Sequence, residues 1–340
     1  MYAYMSSGCI PCFANCLWCG GPGTVPPAGA WRLRVGKEHR FGQLGVVSRP
    51  RSRYCPVMSG ALLPRRKMLA ASAAVVGLPV AAGVDGLLIT PRRLDVTRHT
   101  FGGSVTAASF LRIVQVSDLH IRGFGAVEEQ VIDAIVAARP DVIVHTGDML
   151  ESPRGLGPLR EFLGCCPAVP SFAVPGNWEY SSGVPLSEFG RLCDAVGIEW
   201  LVNRSVAMSP AGTALRITGL DDLRGGRPDA AAALGTAEPA PNHLVLAHCP
   251  ALRDQLSLPA HHPADLVLSG HTHGGQVAPL GMPVVLPPGS GRYVAGWYGR
   301  EGGDPLPPLY VSRGIGMSLI PVRLGAVPEV AVFEWTLAGE

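Results

Sequence analysis

Seven side chains in this sequence are of types that bind metal ions and activate water, and they fall into five short sets: Asp118 with His120, then Asp148, Asn177, His248, and His271 with His273. The last pair lies in Ser269-Gly270-His271-Thr272-His273-Gly274-Gly275-Gln276, which makes a poor helix and a poor continuous strand. On an extended chain the two imidazoles point to opposite faces. The flanking glycines permit a sharp turn with the backbone close to a ligand. Imidazoles diverging from such a turn can each reach a different ion of an adjacent pair. Nitrogen and oxygen donors without thiolate suit Mn²⁺, Fe or Zn²⁺ rather than Ca²⁺ or a cysteine-type structural zinc. Two such ions roughly 3.5–4 Å apart form the arrangement used for in-line displacement at phosphorus by a metal-activated hydroxide. Any one set reads equally well as an ordinary polar turn. Five sets at the ends of apolar runs do not.

Those runs are the elements that must position the donors. Residues 111–117 read as a strand delivering Asp118 and His120, 141–145 as one delivering Asp148, and 172–174 as one delivering Asn177. Residues 244–247 lead into His248, and 266–268 into His271 and His273. In open α/β sheets the functional crevice lies beyond the carboxyl ends of the strands. Between the runs, 126–138 has helical spacing through Val127, Val131, Ile132, Ile135 and Val136. A short helix is expected at 159–163 and another at 185–195. Antiparallel strands are expected at 200–202, 206–208 and 215–219, and short strands at 284–286, 309–312 and 329–334. Residues 90–100 read as a polar junction, which places the catalytic domain at 105–340.

The chain has 340 residues, 47% of them hydrophobic, enough for a large core, and a net charge of +2 that gives no electrostatic case for a nucleic-acid partner. Five of the nine cysteines fall within residues 1–57. Cys9, Cys12, Cys16 and Cys19 form two C-x-x-C pairs only three residues apart, too tight for a zinc ribbon. Residues 1–57 therefore read as a disordered extension, or as untranslated sequence ahead of a start at Met58. The remaining four cysteines read as small core residues. Residues 58–90 carry Arg65-Arg66-Lys67 and then an almost wholly apolar run from Met68 to Val84, the layout of an export signal or membrane anchor. The order Arg65-Arg66-x-Met68-Leu69 resembles a twin-arginine signal. The run is marginal for a spanning helix, and Pro79 interrupts it, so cleaved signal and retained anchor both stay open.

Asp118-x-His120, Gly147-Asp148, Gly176-Asn177, His248 and Gly270-His271-x-His273 match, in order and over roughly residues 110–275, the calcineurin-like metallophosphoesterase superfamily. Gly274-Gly275-Gln276 and the tail from Tyr310 to Gly316 resemble its exported, membrane-associated YkuE/YaeI-like subgroup. The resemblance implies a four-layer α/β/β/α sandwich and two divalent ions. Asp118, His120, Asp148 and His273 would surround one, and Asp148, Asn177, His248 and His271 the other, with Asp148 bridging and Asp148, Asn177 and His248 serving catalysis. It further implies a phosphoesterase, most simply a phosphodiesterase acting on envelope or lipid-linked phosphate esters, associated with the membrane or cell wall. One position departs from the pattern. Where the superfamily usually carries a histidine that assists the leaving group, this chain has Trp178, which cannot act as an acid. That departure keeps an alternative in view, a metal-stabilised protein that binds a phosphorylated envelope ligand without turnover. A metallo-β-lactamase-type hydrolase is excluded, because no H-x-H-x-D-H run is present.

Overall fold

The central strands are apolar on both faces, so both faces must be covered. The computed structural model describes residues 80–102 and 110–338. In β2 (Phe110–Val116), Leu111 and Ile113 point one way and Val114 and Val116 the other, and all four are buried. The first sheet runs in the order β1 (Asp95–Gly102), β12 (Glu329–Thr336), β2, β3 (Val142–His145), β4 (Ser171–Ala173), β5 (Ile198–Trp200). The second runs β10 (Gly296–Tyr298), β11 (Leu309–Val311), β9 (Leu266–Ser269), β8 (His243–Leu246), β7 (Leu215–Gly219), β6 (Arg204–Met208). Strands β2 to β5 are mutually parallel, as are β7, β8, β9 and β11.

The inner faces of the two sheets meet through Ile113, Val144, Phe172, Ile217, Leu246, Leu268 and Phe333. Removing a large side chain from such a layer, as in Phe333→Ala, costs about 3–5 kcal/mol. Helices α1 (Ala126–Ala138), α2 (Leu156–Cys165) and α4 (Leu186–Ala195) cover the outer face of the first sheet through Val131, Ile135, Phe162, Phe189 and Leu192. The outer face of the second sheet has a thinner cover, from the short α5 (Ala230–Leu234), the turn Pro250–Gln255 and Tyr293. The result is the expected α/β/β/α layering. A further short helix, α3 (Asn177–Ser181), begins at the end of the loop after β4.

Several local expectations change. Residues 90–100 are not merely a polar junction. They contain most of β1, an edge strand lying parallel to β12 with alternating half-buried and exposed residues. Among the described residues its partner strand is β12, more than 200 residues further along, so nothing nearby in the sequence announces the pairing, and the folded unit begins ahead of residue 105. In place of the strand expected at 200–202, β5 occupies 198–200 and lies parallel to β4, since the intervening α4 supplies the crossover that a parallel pair needs. Residues 284–286 form no strand, and Val284 and Val285 stand out in solvent. Strand β10 was not anticipated. Cys193 and Cys249 are buried as expected, while Cys165 is exposed.

Residues 1–57, the Arg65-Arg66-Lys67 cluster and most of the 68–84 run lie outside the described residues. From Val80 the chain is helical and passes through a π-helical turn, Asp85–Ile89, and a tighter turn, Thr90–Arg92, before β1. Among the described residues no helix is long and apolar enough to cross a membrane.

Candidate metal centre

The carboxyl ends of β2, β3, β8 and β9, with the loop after β4, bring all seven expected donors to one place. Sheet one contributes Asp118, His120, Asp148 and Asn177, and sheet two contributes His248, His271 and His273. The donors form two buried trios, Asp118–His120–His273 and Asp148–His248–His271, each with donor atoms within 4.8 Å of one another. The paired histidines after β9 do diverge, one to each trio. Asn177 joins the second trio, with its Oδ1 3.3 Å from His248 Nε2. Asp148 stands between the trios, its Oδ2 being 3.2 Å from His248 Nε2 and 3.5 Å from His120 Nε2.

The backbone that makes this convergence is unusual. Asp118, His120, Asp148, His271 and His273 all have left-handed φ, between 44° and 73°. Non-glycine residues in this region cost on the order of 1–3 kcal/mol each and persist only where the surroundings hold them. Here the surroundings are explicit. The loop after β2 pairs with that after β3 through Asp118 N–H to Gly147 O (3.0 Å) and His120 N–H to Asp148 O (3.0 Å). The Asp118 carboxylate accepts from Ser117 Oγ (2.6 Å) and from His271 N–H. Ser117 in turn accepts from Thr146 Oγ1, which accepts from Gln115. Gly147 itself has φ of 89°, and a Cβ there would stand 2.6 Å from Gly176 N and 2.7 Å from His248 Nδ1. Gly314 lies so close to Asp118 that its added Cβ would meet that of Asp118 at 2.6 Å, which locates the tail motif against the first trio.

Glu179 ties the loops after β3 and β4 together. Its buried carboxylate accepts from Asp148 N–H (2.8 Å), Met149 N–H (2.7 Å) and Gly176 N–H (2.7 Å). Burial pushes its pKa up to about 7 despite those donors. Trp178 donates its backbone N–H to Asp148 Oδ1 (2.8 Å), and its indole stands edge-on to His120 with centroids 5.5 Å apart. Asn177 and Trp178 are half-exposed, unlike the six buried donors, so the centre meets solvent on their side.

Hydrogen bonds also set which imidazole nitrogen faces inward. His248 Nδ1–H donates to Thr146 O (2.8 Å), leaving Nε2 toward Asp148. His271 Nε2–H donates to Pro288 O (2.9 Å), leaving Nδ1 toward His248. Burial lowers His120 and His271 to about 4, and His273 also falls well below its usual value, so these three are uncharged at neutral pH. Burial raises Asp118 to about 6. For Asp148 burial acts upward too, yet His248 beside it holds the carboxyl below its usual range. Burial opposes charge on His248, but Asp148 keeps its imidazolium well above the ordinary value. Neutral imidazoles, carboxylates and a side-chain amide converging without a thiolate fit divalent ions of the Mn, Fe or Zn kind.

One contributor escaped the sequence reading. Arg323 is buried, donates to Gly316 O, Arg313 O and Ala326 O, and places Nη2 3.1 Å from His273 Nδ1. Burial pushes it down to about 10. The available signal was its isolation, since it is the lone charged residue between Arg313 and Glu329.

The calcineurin-like phosphoesterase family model matches residues 111–275. Over 257 residues the chain is 32% identical to the uncharacterised metallophosphoesterase YkuE of Bacillus subtilis (strain 168), spanning 72% of this chain and 86% of that protein. It is 29% identical over 283 residues to phosphodiesterase YaeI of Escherichia coli (strain K12), spanning 80% of this chain and 99% of that one.

Proposed function

The chain belongs to the calcineurin-like metallophosphoesterase family of metal-dependent phosphoric ester hydrolases, and from that premise we propose that it is a dinuclear phosphodiesterase of the cell envelope. Its substrates are phosphate esters, lipid-linked phosphates among them. The observation that carries the two-ion reading is the Asp148 carboxylate standing between two donor trios. In this assignment Asp118, His120, Asp148 and His273 would hold one divalent ion and Asp148, Asn177, His248 and His271 the other, and the pair would supply an activated water and neutralise phosphate charge for in-line displacement. Asp148 fixes the spacing between the two halves, Glu179 fixes Asp148, and His248 keeps Nε2 inward because its Nδ1–H is committed to Thr146 O.

The choice of diester follows the named activity of YaeI. The envelope location follows the Arg65-Arg66-Lys67 cluster and the apolar run after it. Changing Arg65 and Arg66 to Lys should leave the protein in the cytoplasm on fractionation. Delivery at normal levels would remove the twin-arginine reading.

Turnover of a chromogenic aryl phosphodiester with added Mn²⁺, abolished by chelation, tests the activity. Bound metal without turnover would return the binding-only alternative. Trp178 sharpens the test. General acid assistance is worth about 10²–10⁴-fold and matters most for poor leaving groups. With an indole in that place, aryl diesters should be hydrolysed far better than alkyl ones, and Trp178→His should help alkyl substrates more. Equal effects on a matched pair would sink the missing-acid account.

A further inference from the structure

Outside the metal centre, the exposed large apolar side chains among the described residues are concentrated. All but Val96, Val136 and Tyr180 fall in three segments, 80–89, 280–285 and 319–320. The segments are remote in sequence and joined in space. Gln276 Nε2 donates to Ser318 O and Ile320 O (both 3.1 Å), and Ser318 N–H donates back to Gln276 Oε1 (2.8 Å). Ala278 N–H donates to Leu324 O (2.7 Å), and Arg323 N–H to Gly86 O (2.9 Å). A single apolar rim results. It starts three residues after His273, through Gln276, whose N–H donates to His273 O (2.9 Å).

Two leucines on the rim gain nothing from the fold. Leu280 has φ of 55° and is 95% exposed; Leu319 has φ of 63° and is 82% exposed. A leucine at left-handed φ is strained, and one with its side chain in water recovers nothing from the core. Glycine or asparagine would hold either turn with less strain. No Asp, Glu, Lys or Arg occurs between His273 and Arg292, or between Arg313 and Arg323. The one acidic residue in 80–89, Asp85, is hydrogen-bonded by Thr90 Oγ1 (2.8 Å). Just beyond, Arg92 and Arg93 are exposed. The sequence entering Val80 is apolar from Met68 and is preceded by Arg65-Arg66-Lys67.

We propose that this rim docks the protein on a lipid bilayer, with Leu280, Leu319 and the 80–89 face entering the headgroup–acyl boundary and Arg92 and Arg93 against anionic headgroups. Contiguous exposed apolar surface flanked by cations is the makeup of an interfacial membrane site rather than a spanning one. Docking there brings the metal centre to a bilayer through the segment that follows His273, so a lipid-linked phosphate need not leave the membrane entirely to be bound. The inference rests on the envelope reading only for the presence of a bilayer.

The test uses the full chain and vesicles of phosphatidylglycerol and phosphatidylcholine. Leu280→Asn with Leu319→Asn suits both left-handed turns, so the double variant should fold as well as the parent. Its partitioning should be at least tenfold weaker, and parental binding should weaken on vesicles of phosphatidylcholine alone. Because residues 68–79 can themselves bind lipid, Leu280→Trp provides a local reporter. Its added emission should be quenched by lipids brominated in the acyl chain. Unchanged partitioning of the double variant, or an unquenched Leu280→Trp on bound vesicles, would overturn the proposal. So would self-association of the parent that the double variant abolishes, which would assign the rim to a second copy. Hydrolysis of the soluble aryl diester, followed in parallel, should be the same in parent and double variant. Its absence in both would remove the phosphoesterase reading and leave the vesicle result standing.

Discussion

Apart from Arg139, Asn203 and Gln276, the left-handed non-glycine residues among the described residues fall in two contrasting places. At the strand ends it holds Asp118, His120, Asp148, His271 and His273, all buried, with carbonyls, amides and hydroxyls arranged to keep them there. On the rim it holds Leu280 and Leu319, both in water. In the first region strain is offset by a dense internal network and serves to aim donors at a shared centre. In the second, no burial offsets it. Backbone strain alone therefore does not identify a site; what surrounds the strained residue says whether its task lies inside or outside the fold.

The largest break in this contrast should come from Asp148→Asn. It removes the charge that stands between the two trios, and kcat should fall by about 10³-fold or more, beyond the loss from any ligand serving one ion. Metal per chain should drop from about two toward one or none. Unchanged stoichiometry and rate would remove Asp148 from the centre.

His145, in β3 three residues before Asp148, lacks the support that the strand ends have. His145 is fully buried with neither ring nitrogen partnered, and burial lowers it to about 4. An unfolded chain takes up this proton near pH 6.5, before the folded one does. Stability from this group is thus complete above about pH 6.5, declines as pH falls toward about 4, and is level below. The loss is roughly 3 kcal/mol across that window. His145→Leu should flatten the slope of the urea midpoint between pH 7 and pH 4.5. An identical slope would discount His145.

Arg323 joins the two regions, since it touches His273 and its backbone N–H holds Gly86. Arg323→Met should weaken Mn²⁺ binding at the first trio by about 10–100-fold, with less effect at the second. Calorimetric titration reads both sites, and equal weakening would point to general loosening. The smallest effect should be Leu280→Asn, which relieves strain without removing a core contact. Its thermal midpoint should match the parent or exceed it, by up to about 1 kcal/mol in stability. A marked loss would mean that Leu280 has a role inside the fold.

What the sequence determined was whatever local periodicity and local chemistry encode. Helix α1 spans the predicted 126–138, because a helix announces its buried face every three to four residues. The donors were legible because each is a polar break at the end of an apolar run. Their division between two ions was implied by the family resemblance, whereas the clamp by Glu179 and the reach of Arg323 depend on loops that meet only when two sheets stack. Strand β1 was invisible for the same reason, its partner β12 lying at the other end of the chain. The rim shows the limit most plainly. In one dimension 80–89 reads as the end of an export signal or anchor and 280–285 and 319–320 as unrelated short apolar stretches, and only tertiary hydrogen bonds between Gln276, Ser318, Leu324 and Gly86 gather them into one exposed surface.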